Sequence, residues 1–218
     1  MSAVAKDVAA DDVLGTLAEL RVVPVVVADQ PEQAEPLASA LVRGGLPCAE
    51  VTFRTAAAEA VLREMAQNPD VLVGAGTVLR PEQVDRAVKA GARFVVMPGF
   101  NARVVAACQE LGVPVIPGIA TPTEILSALD AGLDTVKFFP AESLGGVAAL
   151  KAMSALFGGV RFMPTGGITA ANMRNYLSLP SVVAVGGSWM VAPRLLQAGQ
   201  YDEVSRLAAE AVELTTRA

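Results

Sequence analysis

Eight short runs of β-branched and apolar residues, each trailed by an alanine- and leucine-rich stretch, leave this chain few architectures to choose from. The runs are "RVVPVVVA" (21–28), "CAEVTF" (48–53), "VLVGAG" (71–76), "RFVVMP" (93–98), "VPVIPG" (113–118), "DTVKFF" (134–139), "VRFMPT" (160–165) and "SVVAVGG" (181–187). They begin about every 20 to 27 residues, the length of one strand-plus-helix unit. Between them, stretches such as "EQAEPLASALVRGG", "PEQVDRAVKAGA" and "TPTEILSALDAG" carry apolar residues at helical spacing and close on glycine, as a helix C-terminus does. Eight such units without a linker or a shift in composition predict an α/β chain folded as one (β/α)8 TIM barrel over 1–218. The first twenty residues read as an extra N-terminal amphipathic helix. A doubly wound open sheet is the competing architecture, disfavoured because no G-x-G-x-x-G follows the first run.

Composition narrows the partners. The chain is 53% apolar but only 5% aromatic, as suits buried parallel strands between alanine-rich helices. Its longer apolar runs, such as residues 22–28, fall far short of the roughly 20 residues a spanning helix needs. A net charge of −5 opposes both nucleic acid and anionic membrane as partners. The N-terminus shows no basic end followed by an apolar stretch, so a cytoplasmic protein is expected. Cys48 and Cys108 lie far apart and read as buried thiols. There is no histidine, which removes the imidazole bases and most zinc and iron sites; no metal or cofactor is expected.

Chemistry in such a barrel sits where strands run out into loops. In the second run, "CAEVTFRT", alternation puts Glu50, Thr52 and Arg54 on one face and Val51 and Phe53 on the other. The polar face points into the barrel and brings a carboxylate and a guanidinium to its upper mouth, where they need partners; a structural ion pair would also satisfy that need. In the sixth run Lys137 shares its face with Thr135 and Phe139. Of four lysines, Lys6, Lys89 and Lys151 stand in polar or helical surroundings, and Lys137 alone sits in a strand. Desolvation disfavours the charged form of an amine and so favours the free base that attacks a carbonyl. Lys137 is therefore read as a nucleophile and Glu50 as its proton-transfer partner.

The seventh and eighth runs end in "PTGGIT" and "VGGSW". Glycines there let backbone N–H groups approach a ligand, and the loops after these two strands are a frequent phosphate site in barrels. Gly166, Gly167, Gly187 and Ser188 are expected to hold a phosphate. Thr77, closing "VGAGT", is placed to offer its hydroxyl to a substrate carboxylate beside Arg54, or to cap the next helix. Pro98 and Phe139 are read as an apolar wall, and Trp189 as a site cover, as core or as a subunit contact. A nucleophilic amine, a carboxylate, an arginine and a phosphate cradle together fit a phosphorylated 2-oxo acid.

The stretches "GGLPCAEVTFRT" and "GLDTVKFFPAESLGG", with "VGAGTVL", "PTGGIT" and "GGSW", closely resemble the signatures of the 2-keto-3-deoxy-6-phosphogluconate (KDPG) aldolase family, whose bifunctional members also cleave 4-hydroxy-2-oxoglutarate. The resemblance runs from the first strand to the last helix. It implies a class I aldolase with the Schiff base on Lys137, proton transfer by Glu50, and carboxylate contacts from Arg54 and Thr77. It further implies phosphate contacts from Thr165, Gly166, Gly167 and Ser188, a homotrimer, and the cleavage step of the Entner–Doudoroff pathway. Some relatives carry a basic residue after the first strand, where this chain has Ala28 and Asp29. An aldolase for the galactonate-derived isomer or for 4-hydroxy-2-oxoglutarate shares the same chemistry. A phosphosugar sensor without chemistry and a metal-dependent pyruvate aldolase are the rivals; Lys137 with Glu50 speaks against the first, and the lack of a ligand cluster against the second.

Overall fold

The computed structural model describes residues 10–216; the first nine residues of the expected N-terminal helix, Lys6 among them, lie outside that range. Strands and helices alternate along the chain. The strands are β1 (Val22–Val26), β2 (Cys48–Thr52), β3 (Leu72–Gly76), β4 (Val95–Val96), β5 (Val115–Ile116), β6 (Gly118–Ile119), β7 (Thr135–Phe138), β8 (Arg161–Phe162) and β9 (Val185–Gly187). The α-helices are α1 (Ala10–Leu20), α2 (Ala34–Arg43), α3 (Ala58–Met65), α4 (Pro81–Lys89), α5 (Ala102–Glu110), α6 (Pro122–Asp130), α7 (Gly146–Ser154), α8 (Met173–Leu177), α9 (Pro193–Gln197) and α10 (Tyr201–Thr216). A helix thus precedes the first strand, as expected.

All pairings are parallel, in a six-stranded sheet of order β5-β4-β3-β2-β1-β9 and a three-stranded sheet of order β6-β7-β8. The sequence predicts eight strands in one ring; the ladders instead divide into these two sheets. Proline supplies the reason, since it has no N–H to donate to a ladder. Pro117 splits the fifth predicted strand into β5 and β6, and Pro164 follows closely on β8. Backbone contacts continue across one of these gaps: Gly186 N–H donates to Pro164 O at 2.9 Å and Val183 N–H to Phe162 O at 3.1 Å, with isolated bridges at Phe162/Val182 and Thr165/Gly186.

The helices form where the sequence places start and stop signals. Thr121 and Glu124 cap α6 reciprocally, and Asn101 caps α5 by accepting from the N–H groups of Arg103 and Val104 at 3.0 and 3.4 Å. Gly91, Gly112 and Gly132 follow α4, α5 and α6 at φ 100, 64 and 76, a conformation that glycine adopts without a Cβ penalty. Helix α2 buries Leu37, Ala38, Ala40 and Leu41 along one stripe. Its last turn runs into Gly44, where a Cβ would meet Ala208 Cβ of α10 at 2.6 Å, so the chain after α2 and helix α10 approach closely. Valines, leucines and alanines from both layers make one continuous core. Cys48 and Cys108 are free and buried within it. Among the described residues no helix is long and apolar enough to cross a membrane.

Candidate active site

Every expected site residue lies in or just beyond the C-terminal end of a strand. Glu50 is in β2, Thr77 follows β3, Pro98 follows β4, Lys137 is in β7 with Phe139 after it, Thr165 follows β8, and Gly187 closes β9 ahead of Ser188.

Glu50 and Lys137 form the buried centre. Glu50 is 0% exposed and Lys137 5%. Lys137 Nζ stands 3.0 Å from Glu50 Oε1 and 3.3 Å from Oε2. A buried ion pair holds only where geometry offsets desolvation, and here both carboxylate oxygens face one ammonium. The same Nζ lies 5.4 Å from the centroid of the Phe139 ring, within cation–π range. Lys151 is exposed and Lys89 pairs with Asp85 on the surface, so among the described residues Lys137 is the buried lysine.

The space for Glu50 is made by glycine. A Cβ on Gly76, in the neighbouring strand, would overlap Glu50 and approach its Cδ to 2.7 Å. Gly118, paired in register with Lys137, makes room for the chain after β4 instead: a Cβ there would run into the carbonyl of Pro98. Thr77, immediately after Gly76, adopts φ 55, a left-handed conformation unusual for a β-branched residue.

A cavity of about 280 Å³ opens at the same strand ends, lined by Val25, Val27, Arg54, Phe139, Thr165, Gly166, Gly167, Ile168, Gly186, Gly187, Ser188 and Pro193. It brings together seven of the expected residues. Arg54 is the one charged residue among them. Strand β2 ends at Thr52, so Arg54 stands exposed in the following turn, where it lines the mouth of the cavity. Thr52 itself is buried and donates to Val26 O at 2.8 Å, a stitch between β2 and β1. Four expected residues do not line the cavity: the buried Lys137 and Glu50, and the half-buried Thr77 and Pro98. Phe139 joins the two regions, touching the cavity on one side and Lys137 on the other.

Gly166 and Gly167 sit at φ 100 and 80. A Cβ on Gly186 would overlap Thr165 Oγ1, and one on Gly187 would overlap the Trp189 ring. Trp189 is half-buried and packs beneath the second glycine loop, with its indole Nε1 buried and unpartnered. Val25, Val27, Ile168, Gly186 and Pro193 escape a search for chemistry-bearing residues; the alternation of the first run is the signal that points Val25 and Val27 inward. A larger surface depression of about 810 Å³, lined by Arg80 and Arg103 at the starts of α4 and α5 and by Arg86 in the last turn of α4, contains none of the expected site residues. Among the described residues no three histidine, cysteine or acidic side chains are grouped so as to hold a metal ion.

The model of a family described as KDPG and KHG aldolase matches residues 13–207. A 2-dehydro-3-deoxy-phosphogluconate aldolase of Treponema pallidum is 51% identical over 199 residues, which span 91% of this chain and 95% of that protein. A KHG/KDPG aldolase of Escherichia coli K12 is 49% identical over 193 residues, 88% of this chain and 91% of that one. Among solved structures, a KDPG aldolase from Legionella pneumophila, described with pyruvate captured as a covalent carbinolamine, superposes with a TM-score of 0.88 at 40% identity, covering 91% of this chain and 97% of that one.

Proposed function

The chain belongs to the KDPG and KHG aldolase family, and on that premise we propose that it cleaves 2-keto-3-deoxy-6-phosphogluconate to pyruvate and D-glyceraldehyde 3-phosphate through a Schiff base on Lys137. One observation carries this reading: the buried Lys137–Glu50 pair at 3.0 Å beside a small cavity.

The Lys137 amine adds to the C2 ketone once its proton has passed to Glu50, which the short separation permits. The carbinolamine loses water to give a protonated imine, Glu50 returning its proton to the departing hydroxyl. Glu50, again a carboxylate, removes the C4 hydroxyl proton, directly or through a water. The C3–C4 bond then breaks, its electron pair flowing into the iminium to form an enamine while glyceraldehyde 3-phosphate departs. Glu50 returns its proton to C3, and water hydrolyses the resulting pyruvyl imine to pyruvate and free Lys137. In this reaction the iminium is the electron sink.

Binding follows from the cavity. Arg54, its one charged lining residue, suits the substrate carboxylate, with the Thr77 hydroxyl as a second donor. Thr165, Gly166, Gly167, Gly187 and Ser188 are assigned to the phosphate, where glycine backbone can approach closely. Phe139 and Pro98 are assigned as the apolar walls of the site. The volume suits a small metabolite. Cleavage of 4-hydroxy-2-oxoglutarate to pyruvate and glyoxylate uses the same lysine and carboxylate, and the E. coli relative's name, KHG/KDPG aldolase, favours that second activity.

The wider setting belongs to the same proposal: one (β/α)8 barrel spanning 1–218, its ring completed where β8 meets β9 and where Pro117 joins β5 to β6, acting as a cytoplasmic homotrimer in the Entner–Doudoroff pathway. Light scattering would read the assembly.

The decisive experiment is borohydride reduction in the presence of pyruvate, followed by mass spectrometry. A stable pyruvyl adduct is expected on Lys137 and its loss in Lys137→Met; a wild-type protein that forms no adduct overturns the assignment.

A further inference from the structure

Glu142 and Tyr176 take no part in the reaction as written, yet Glu142 lies against the glycine loop after β8 and Tyr176 holds Glu142. The segment following β7 is laced to that loop by its backbone: Ala141 N–H donates to Thr165 O at 2.8 Å and Glu142 N–H to Gly166 O at 3.1 Å. The Glu142 side chain then lies against Gly167, where its Cβ and Cγ stand 2.7 and 2.6 Å from the place a Cβ would occupy. Its Oε1 accepts a hydrogen bond from the hydroxyl of Tyr176 in α8. Tyr176 is fully buried; burial, and then the Glu142 carboxylate, push its phenol above the usual tyrosine range, so it remains a donor. Gly146, at φ 61, opens the space in which the two meet: a Cβ there would stand 3.2 Å from both Glu142 Oε1 and Tyr176 Oη. On the other flank Asn172 Nδ2 donates to Gly167 O at 3.0 Å while its Oδ1 accepts from Thr169 N–H at 2.8 Å.

Gly166 and Gly167 have more backbone freedom than other residues. A loop built from them keeps one shape only if its neighbours impose it, and an anion cradle loses affinity when that shape is lost. We propose that the Tyr176–Glu142 hydrogen bond is a latch that holds the Thr165–Gly167 loop in the form that receives the substrate's phosphate. By doing so it sets the preference for phosphorylated over unphosphorylated 2-oxo acids. This inference rests on the aldolase reading above, and it makes Glu142 and Tyr176 positioning residues.

The test measures two quantities in Glu142→Ala, Glu142→Gln and Tyr176→Phe: KM for 2-keto-3-deoxy-6-phosphogluconate, and the pyruvate concentration giving half-maximal borohydride trapping. Glu142→Ala and Tyr176→Phe are expected to raise KM about tenfold with kcat within about twofold, the pattern of lost uniform binding. Pyruvate, which has no phosphate, should trap as in the wild type. Glu142→Gln, whose amide oxygen still accepts from Tyr176, should stay near the wild-type KM. An unchanged KM in Glu142→Ala, a parallel rise in the pyruvate requirement, or a Glu142→Gln as impaired as Glu142→Ala would each overturn the latch. Should Tyr176→Phe fail to fold, Glu142→Ala, at an exposed position, decides alone. Wild-type protein that traps no pyruvate defeats the aldolase reading itself; normal trapping with unaffected variants defeats only the latch.

Discussion

Lys137 Nζ and Glu50 Oε1 stand 3.0 Å apart across the interior, although 87 residues separate them in the chain. Neither side chain has an appreciable share of solvent. Two opposite charges taken out of water together are tolerable, but removal of one leaves the other buried and uncompensated, at about 3–5 kcal/mol. The pair therefore binds the two halves of the site into one electrostatic unit.

Glu50→Gln separates the two proposed roles of that unit. The amide keeps the volume and a hydrogen-bond acceptor for Lys137 but cannot carry a proton between C4 and C3. Pyruvate trapping on Lys137 is expected to persist at least in part, while turnover of the phosphorylated substrate falls by about a hundredfold or more. Single-turnover kinetics alongside trapping would check this, and undiminished turnover would remove Glu50 from the mechanism.

Gly76→Ala should damage the site without touching a reacting group. The added methyl would overlap Glu50 and come within 2.7 Å of its Cδ, in a position walled by buried strand residues. Overpacking of this kind costs about 1–3 kcal/mol. Chemical denaturation is expected to show that loss, together with a fall in kcat; a variant of native stability and rate would mean that Glu50 has room the structure does not display.

Thr77 is held at φ 55, where a β-branched residue carries strain of about 1–3 kcal/mol. Thr77→Gly relieves the strain and deletes the hydroxyl. Stability is expected to hold or rise slightly, the gain being partly offset by glycine's greater freedom when unfolded, while the pyruvate concentration for half-maximal trapping rises about tenfold. A melting curve and a trapping titration on the same sample would expose any departure from this opposition of stability and function.

The Asp134–Arg161 surface pair contributes to acid sensitivity. Arg161 Nη2 donates to Asp134 Oδ1 at 2.8 Å and Thr135 Oγ1 donates to the same oxygen at 2.9 Å; chiefly through the Arg161 bond, the carboxyl is held below its ordinary value of 3.8. A lowered folded-state value means stability present above 3.8 and lost as pH falls through the folded value. Both side chains are about half exposed, so screening limits the contribution to a few tenths of a kcal/mol. Asp134→Asn is expected to be slightly less stable than wild type at pH 7, the difference shrinking as the pH is lowered below 3.8, as a series of urea titrations at falling pH would show.

The recurrence of strand and helix, the glycine C-caps and the identities of Lys137 and Glu50 as the groups facing inward are all legible in the chain, because each rests on local periodicity or on one charge in an apolar strand. Other features are not. The parity of "CAEVTFRT" treats Arg54 as a strand residue, but the strand stops at Thr52 and Arg54 reaches the cavity from the turn beyond it. The fifth run reads as one strand, yet Pro117 cannot donate to a ladder and breaks it in two. The space that Gly76 leaves for Glu50, and the meeting of Glu142 with Tyr176, join residues far apart in sequence through side-chain volume, which spacing does not encode.

From sequence alone come the period of the fold, the inward-facing amine and carboxylate, and the two glycine loops, since these follow from alternation, helical spacing and the cost of burying a charge. Tertiary structure alone decides that the amine and carboxylate meet at hydrogen-bond distance, that Arg54 shares a cavity with the glycine loops, and that Glu142 and Tyr176 stand behind them. Those relations depend on which strands lie side by side and how closely they approach, and packing in three dimensions fixes both.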